Sequence, residues 1–152
     1  MDTSNGSLRQ GHHLLQAGIL LFLFALLVGL AVPKFAVPRL GLSAHLLGIM
    51  QGIFLMVTGL LWPKLKLTRA MSRVGFWLAV YGCFAAWTAN VLAGVWGAGN
   101  SMLPMAAGQA RGTALQEAII TTSLRTAAAS LIAAAILILW GLRVHVVEKS
   151  DK

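Results

Sequence analysis

An imidazole and a carboxamide, His45 and Gln51, lie six residues apart in the otherwise apolar run 42–62, and they are the side chains here best placed to do chemistry inside a membrane. Polar groups in hydrocarbon cost on the order of several kcal/mol unless partnered, so they are generally functional or bind helices together. An imidazole in such a place is either functional or reaches headgroup water at the helix end. At 100° per residue, His45 and Gln51 point well apart around a helix and are separated by about 9 Å along it. They cannot both address one partner helix, and they face a common cavity only if that cavity is wide, as at a junction between subunits. A second amide, Asn90, falls within the run 74–96 and must also be paired, either by an interhelical hydrogen bond or in a site. Glu117 is the one acid outside the two tails, and Glu117, Thr121 and Arg125 follow one another at helical spacing. Glu117 therefore either pairs with Arg125 or Arg111 or lines a cavity. Cys83 is the single cysteine, which excludes an intrachain disulfide and a cysteine-rich zinc site.

The elements that position these groups are membrane spans. The chain has 152 residues, 58% hydrophobic and 11% charged, with a mean hydropathy of +0.79, too apolar for a soluble domain of this size. Runs near 14–32, 42–62, 74–96 and 115–142 each reach the ~20 residues needed to cross the hydrocarbon. The expected fold is all-α, a single four-span domain over 1–152 forming an antiparallel bundle. The polar stretch 1–10 lacks the pattern of a cleaved signal, so the first run is expected to remain as a span. His12, His13 and Gln16 at its start are expected to face water or headgroups. Ala44, Gly48 and Gly52 form two small-xxx-small steps, a face that lets another helix approach closely and invites oligomer contact. The Gly- and Pro-punctuated stretch 97–112 is longer than a bundle needs, and such loops are often functional.

The net charge of +8 would point to nucleic acid in a soluble protein, but here the basic residues flank apolar runs as topology signals and headgroup anchors, so no nucleic-acid partner is expected. Arg9, the cluster Lys64, Lys66, Arg69 and Arg73, and the tail residues Arg143, Lys149 and Lys152 fall on one side. Lys34, Arg39 and Arg111 fall on the other, with Arg125 nearer the membrane. Both termini are thus expected to be cytoplasmic, in a bacterial-type inner membrane. No phosphate loop, paired-histidine zinc motif or nucleophile elbow is present.

Three stretches together resemble hydroxylaminobenzene mutase. They are His45-Leu-Leu-Gly-Ile-Met-Gln51-Gly52; Trp87-Thr-Ala-Asn90; and Trp96-Gly-Ala-Gly-Asn-Ser-Met-Leu-Pro104-Met-Ala-Ala-Gly108 followed by Gly112-Thr-Ala-Leu-Gln116-Glu117. More distantly, the chain is similar to styrene oxide isomerase, a small four-span membrane enzyme whose trimer carries haem b. His45 matches that family's span-two histidine, Gln51 stands where it has an asparagine, and Asn90 matches its second asparagine. Gly94 stands where it has a tyrosine, so the likeness does not extend to the isomerase's own reaction.

The resemblance implies an isomerase converting hydroxylaminobenzene to 2-aminophenol by intramolecular hydroxyl transfer. It also implies His45 as axial ligand to a haem iron acting as Lewis acid, Gln51, Asn90 and Glu117 as catalytic candidates, and a homotrimer. Two other classes remain beside it. A small multidrug exporter would want a membrane-embedded acid on its first span, and 14–32 has none. A haem-binding electron-transfer subunit normally uses two axial histidines at mid-membrane depth, whereas the span interiors offer only His45, near an end.

Overall fold

The computed structural model describes residues 3–147, with side chains described over 6–143. Lys149 and Lys152, which enter the charge count by side, lie outside the described residues. Helix α1 is Thr3–Ala31, α2 is Pro38–Leu61, α3 is Arg69–Trp96, α4 is the single turn Pro104–Ala107 and α5 is Ala114–Val147. The described residues contain no strand, and α1, α2, α3 and α5 are each long and apolar enough to cross a membrane. The fold is the expected all-α four-helix antiparallel bundle. Its first helix starts at Thr3, well ahead of the apolar run. At 1.5 Å per residue its 29 residues reach about 43 Å, more than the hydrocarbon thickness, so its polar first turns project beyond the membrane.

Local chemistry sets the helix ends. Pro38 occupies the first turn of α2 after extended Val37, where its missing N–H costs nothing. Thr68 caps α3 by accepting from the Met71 N–H at 3.3 Å. Gly97 closes α3 in the left-handed region at φ 64°, which a residue with a Cβ rarely adopts. Thr113 and Gln116 cap α5 reciprocally: the Gln116 Oε1 accepts from the Thr113 N–H at 2.8 Å and the Thr113 Oγ1 from the Gln116 N–H at 3.3 Å.

Helix α1 packs chiefly on α2, α5 on α3, and α2 joins the two pairs through α3. The α1–α2 seam is built of small residues facing one another. A Cβ on Gly11 would lie 2.7 Å from the Gly59 carbonyl oxygen, one on Gly18 2.7 Å from that of Gly52, and one on Gly48 2.6 Å from the Ala25 Cβ. The Gly48–Gly52 face is therefore spent inside the chain, against α1, and does not supply an oligomer contact. One core cluster, around Leu14, Leu21, Leu55, Trp62, Ala79 and Cys83, fills the bundle. A second, formed by Leu40, Ala93, Ala98, Ala107 and Ile120, seats the 97–113 loop on the end opposite the basic 62–68 connection.

Candidate active site

Ser43, His45 and Asn90 lie toward the loop-covered ends of α2 and α3, with Gln51 and Trp87 nearer the middle of the bundle, and they divide into groups whose hydrogen bonds are complete and groups whose bonds are not. His45 sits against α1, beside Gly29, with its Nδ1 2.8 Å from the Ala25 carbonyl oxygen. A carbonyl only accepts, so Nδ1 carries the proton and donates; in the neutral ring, Nε2 then keeps its lone pair. This is the tautomer and anchoring that a ligating histidine uses. His45 also lines a groove of about 580 Å3 with Leu26, Gly29, Leu30, Val32, Pro33 and Leu42. The rim is apolar and open, Leu30 being 82% exposed. The residues thus fit an axial imidazole ligand beside an apolar, flat group. Among the described residues no three His, Cys, Asp or Glu side chains converge, so a metal site built wholly of protein ligands is not formed there.

Asn90 is buried and engaged at both ends of its amide. Its Nδ2 donates to the Ala86 carbonyl at 3.0 Å, and its Oδ1 accepts from the Ser43 hydroxyl at 3.4 Å. It ties α2 to α3, which is the interhelical role that the sequence left open beside a catalytic one.

Glu117 departs from the expected ion pair. Its Oε1 accepts from the backbone N–H groups of Gly99 at 2.8 Å, Asn100 at 3.2 Å and Gly112 at 3.3 Å, and its Oε2 from that of Ser101 at 3.3 Å. Backbone amides occupy the carboxylate in place of Arg125 or Arg111, both of which are exposed. The physical reason is the loop's shape. Gly97 and Gly99 have positive φ, and that turn aims three successive N–H groups at one point above the first turn of α5. Asn100 Nδ2 closes the same loop on the Gly108 carbonyl at 2.9 Å. Glu117 holds the loop.

Gln51 is 8% exposed, and its Oε1 has no hydrogen-bond partner in the protein. Gly48 lies between His45 and Gln51 around α2, so the two side chains flank it, His45 toward α1 and Gln51 on the other side. The sequence reading named Trp87 only as part of a motif, yet its buried Nε1 also lacks a partner. An indole in a span usually reads as packing or as an interfacial anchor, and only three-dimensional burial of its N–H marks this one. His12 and His13 are exposed, as expected, with His13 Nδ1 3.3 Å from the Gln16 Oε1.

The family model described as "Styrene oxide isomerase" matches residues 10–143. The chain belongs to this family. It is also similar to two proteins of Ectopseudomonas oleovorans. It is 49% identical to one named hydroxylaminobenzene mutase HabB, over 86% of this chain and 79% of that protein. It is 42% identical to one named hydroxylaminobenzene mutase HabA, over 86% of this chain and 96% of that protein. No solved structure matches the chain significantly. The stretches carrying His45, Gln51, Trp87, Asn90 and Glu117 all fall within the matched residues.

Proposed function

We infer that this membrane protein is a mutase that converts hydroxylaminobenzene to 2-aminophenol by moving the hydroxyl group from nitrogen to the ortho ring carbon of the same molecule. The observation that carries the reading is the similarity, over most of the chain, to two proteins named for that substrate. The residues are consistent with it: the polar groups are few and neutral, and the groove beside His45 has apolar walls that suit an aromatic ring. The carboxamide of Gln51 orients the N–O group without supplying a strong acid. Asn90 fixes α2 against α3, so that Gln51 and His45 keep their places, and Glu117 holds the 97–113 loop over that end.

In this reading His45 would hold a haem b, its ring fixed by the bond to the Ala25 carbonyl. When bound, the haem supplies an iron Lewis acid, which this chain's neutral side chains do not provide. The groove beside His45 is open on one face, which favours a second copy as its other wall and so a homo-oligomer, a trimer by resemblance. The charge distribution favours a bacterial-type inner membrane with both termini cytoplasmic.

Purified protein incubated with hydroxylaminobenzene under argon, without reductant, tests the reading. Stoichiometric 2-aminophenol is expected; unchanged substrate overturns it. For the haem, a Soret band in active wild-type protein that is absent from His45→Ala is expected, and active protein without Soret absorption or bound iron rules the cofactor out.

A further inference from the structure

Among the described residues, two buried side-chain polar atoms have no hydrogen-bond partner, and they belong to residues on the packed helices α2 and α3. The indole of Trp87 stacks on Phe24 of α1, with ring centroids 5.9 Å apart and planes at 16°. Its pyrrole edge presses so closely on α2 that a Cβ on Gly48 would lie 2.6 Å from both Cδ1 and Nε1. Gly48 is therefore the residue that admits this edge, and the N–H is delivered to the turn of α2 around it. Gln51 is three residues further on, on the adjoining face. Helical side chains lean back toward the N-terminus, which brings its carboxamide over that same turn. One atom is a pure donor, the Trp87 Nε1–H; the other is a pure acceptor, the Gln51 Oε1. Both are buried and neither has a partner. The nearby polar groups of Asn90, Ser43 and the His45 Nδ1 are all engaged. Buried polar groups are overwhelmingly hydrogen-bonded, so a donor and an acceptor both left without partners at one turn point to a ligand that brings the complementary pair.

We propose that Trp87 Nε1–H and Gln51 Oε1 together bind the N–O group of the arylhydroxylamine. The indole donates to the hydroxyl oxygen and the carboxamide oxygen accepts from the substrate N–H. This rests on the mutase reading above and assigns that site its polar contacts. The polarity matches the rearrangement. The N–O bond breaks with its electron pair on oxygen, a bond forms between oxygen and the ortho carbon, and the displaced ring proton ends on nitrogen, so no co-reactant is consumed. As negative charge gathers on oxygen, the indole N–H bond to it strengthens. As nitrogen loses electron density, its N–H becomes the better donor to Gln51. Both contacts tighten toward the transition state, which is the condition for raising turnover and not merely binding.

Trp87→Phe keeps the ring stacked on Phe24 and removes only the donor; Gln51→Leu removes the acceptor. With hydroxylaminobenzene as substrate, each is expected to lower kcat by roughly 10- to 100-fold with KM changed by less than about threefold. The double variant should lose less than the product of the two single losses, because both act on one N–O group. Thermal unfolding and any Soret band should stay at wild-type values. Either folded variant keeping kcat within twofold of wild type overturns the pairing, as does a loss confined to KM. Should Trp87→Phe not accumulate as folded protein, Gln51→Leu carries the same expectation alone. Wild-type protein that forms no 2-aminophenol overturns the mutase reading itself, so the two failures are distinguishable.

Discussion

Trp62 and Trp87 both press an indole among α1, α2 and α3, Trp62 at the end beside the basic loop and Trp87 nearer the middle of the bundle beside Gly48, and the protein treats their N–H groups differently. Trp62 is 1% exposed, and its Nε1 donates to the Gln10 Oε1 at 3.1 Å and to the Ser72 Oγ at 3.2 Å. Ser72 in turn donates to the same Gln10 oxygen at 2.7 Å. The result is a closed knot binding the start of α1, the end of α2 and the start of α3. Nearer the middle of the bundle the Trp87 Nε1 and the Gln51 Oε1 are buried with no partner. Complete satisfaction is what a structural joint needs; uncommitted polar atoms held by rigid packing are what a binding site needs. The Trp62 knot fastens the bundle beside the basic loop, and the uncommitted pair nearer the middle is where the proposed substrate contacts fall.

Several substitutions would break or sharpen this contrast. The largest effect is expected from His45→Ala, which should lower turnover by roughly 100-fold or more while the protein still inserts and folds; aminophenol production per folded molecule in detergent measures it. Gly48→Val should come next. Its side chain would strike both Ala25 and the Trp87 edge, costing about 1–3 kcal/mol by overpacking and displacing the indole, so stability and turnover fall together. The control is Gly6→Ala, where a Cβ meets nothing within 4 Å, and where the gain in helix propensity should leave stability equal or slightly higher.

Glu117→Gln replaces a carboxylate that accepts four backbone N–H bonds. About 1–3 kcal/mol of stability should be lost. Limited proteolysis within 97–113 should quicken, and turnover of the folded remainder should stay nearly intact. Turnover collapsing in well-folded Glu117→Gln would give Glu117 a direct part in the chemistry. The smallest loss belongs to Trp62→Phe, about 1 kcal/mol of unfolding free energy with turnover per folded molecule unchanged. A drop in its turnover would erase the distinction between the two indoles.

The spans are legible in the sequence because they rest on composition and length, which fix a membrane helix almost by themselves. Pro38, Thr68 and the 113–116 capping box sharpen the helix starts for equally local reasons. The small-residue face on α2 is legible as a packing face, but its partner is not. That α1 answers with Gly11, Gly18 and Ala25 is a matter of register between two helices. The role of Glu117 is hidden for a related reason: its partners are main-chain amides, which no sequence pattern displays, whereas Arg125 and Arg111 are visible and turn out to be exposed. Within the site, His45, Gln51 and Asn90 stand out as polar residues in apolar runs. Trp87 does not, since its importance lies in a buried N–H whose lack of a partner exists only in three dimensions.

Intramolecular hydroxyl transfer is tested most directly by turning over unlabelled hydroxylaminobenzene with the purified protein in 18O-water, under argon and without reductant. The expected result is 2-aminophenol carrying only the original oxygen, as mass spectrometry of the product would read it. Formation of 2-aminophenol labelled from the solvent, or no 2-aminophenol at all, would contradict it.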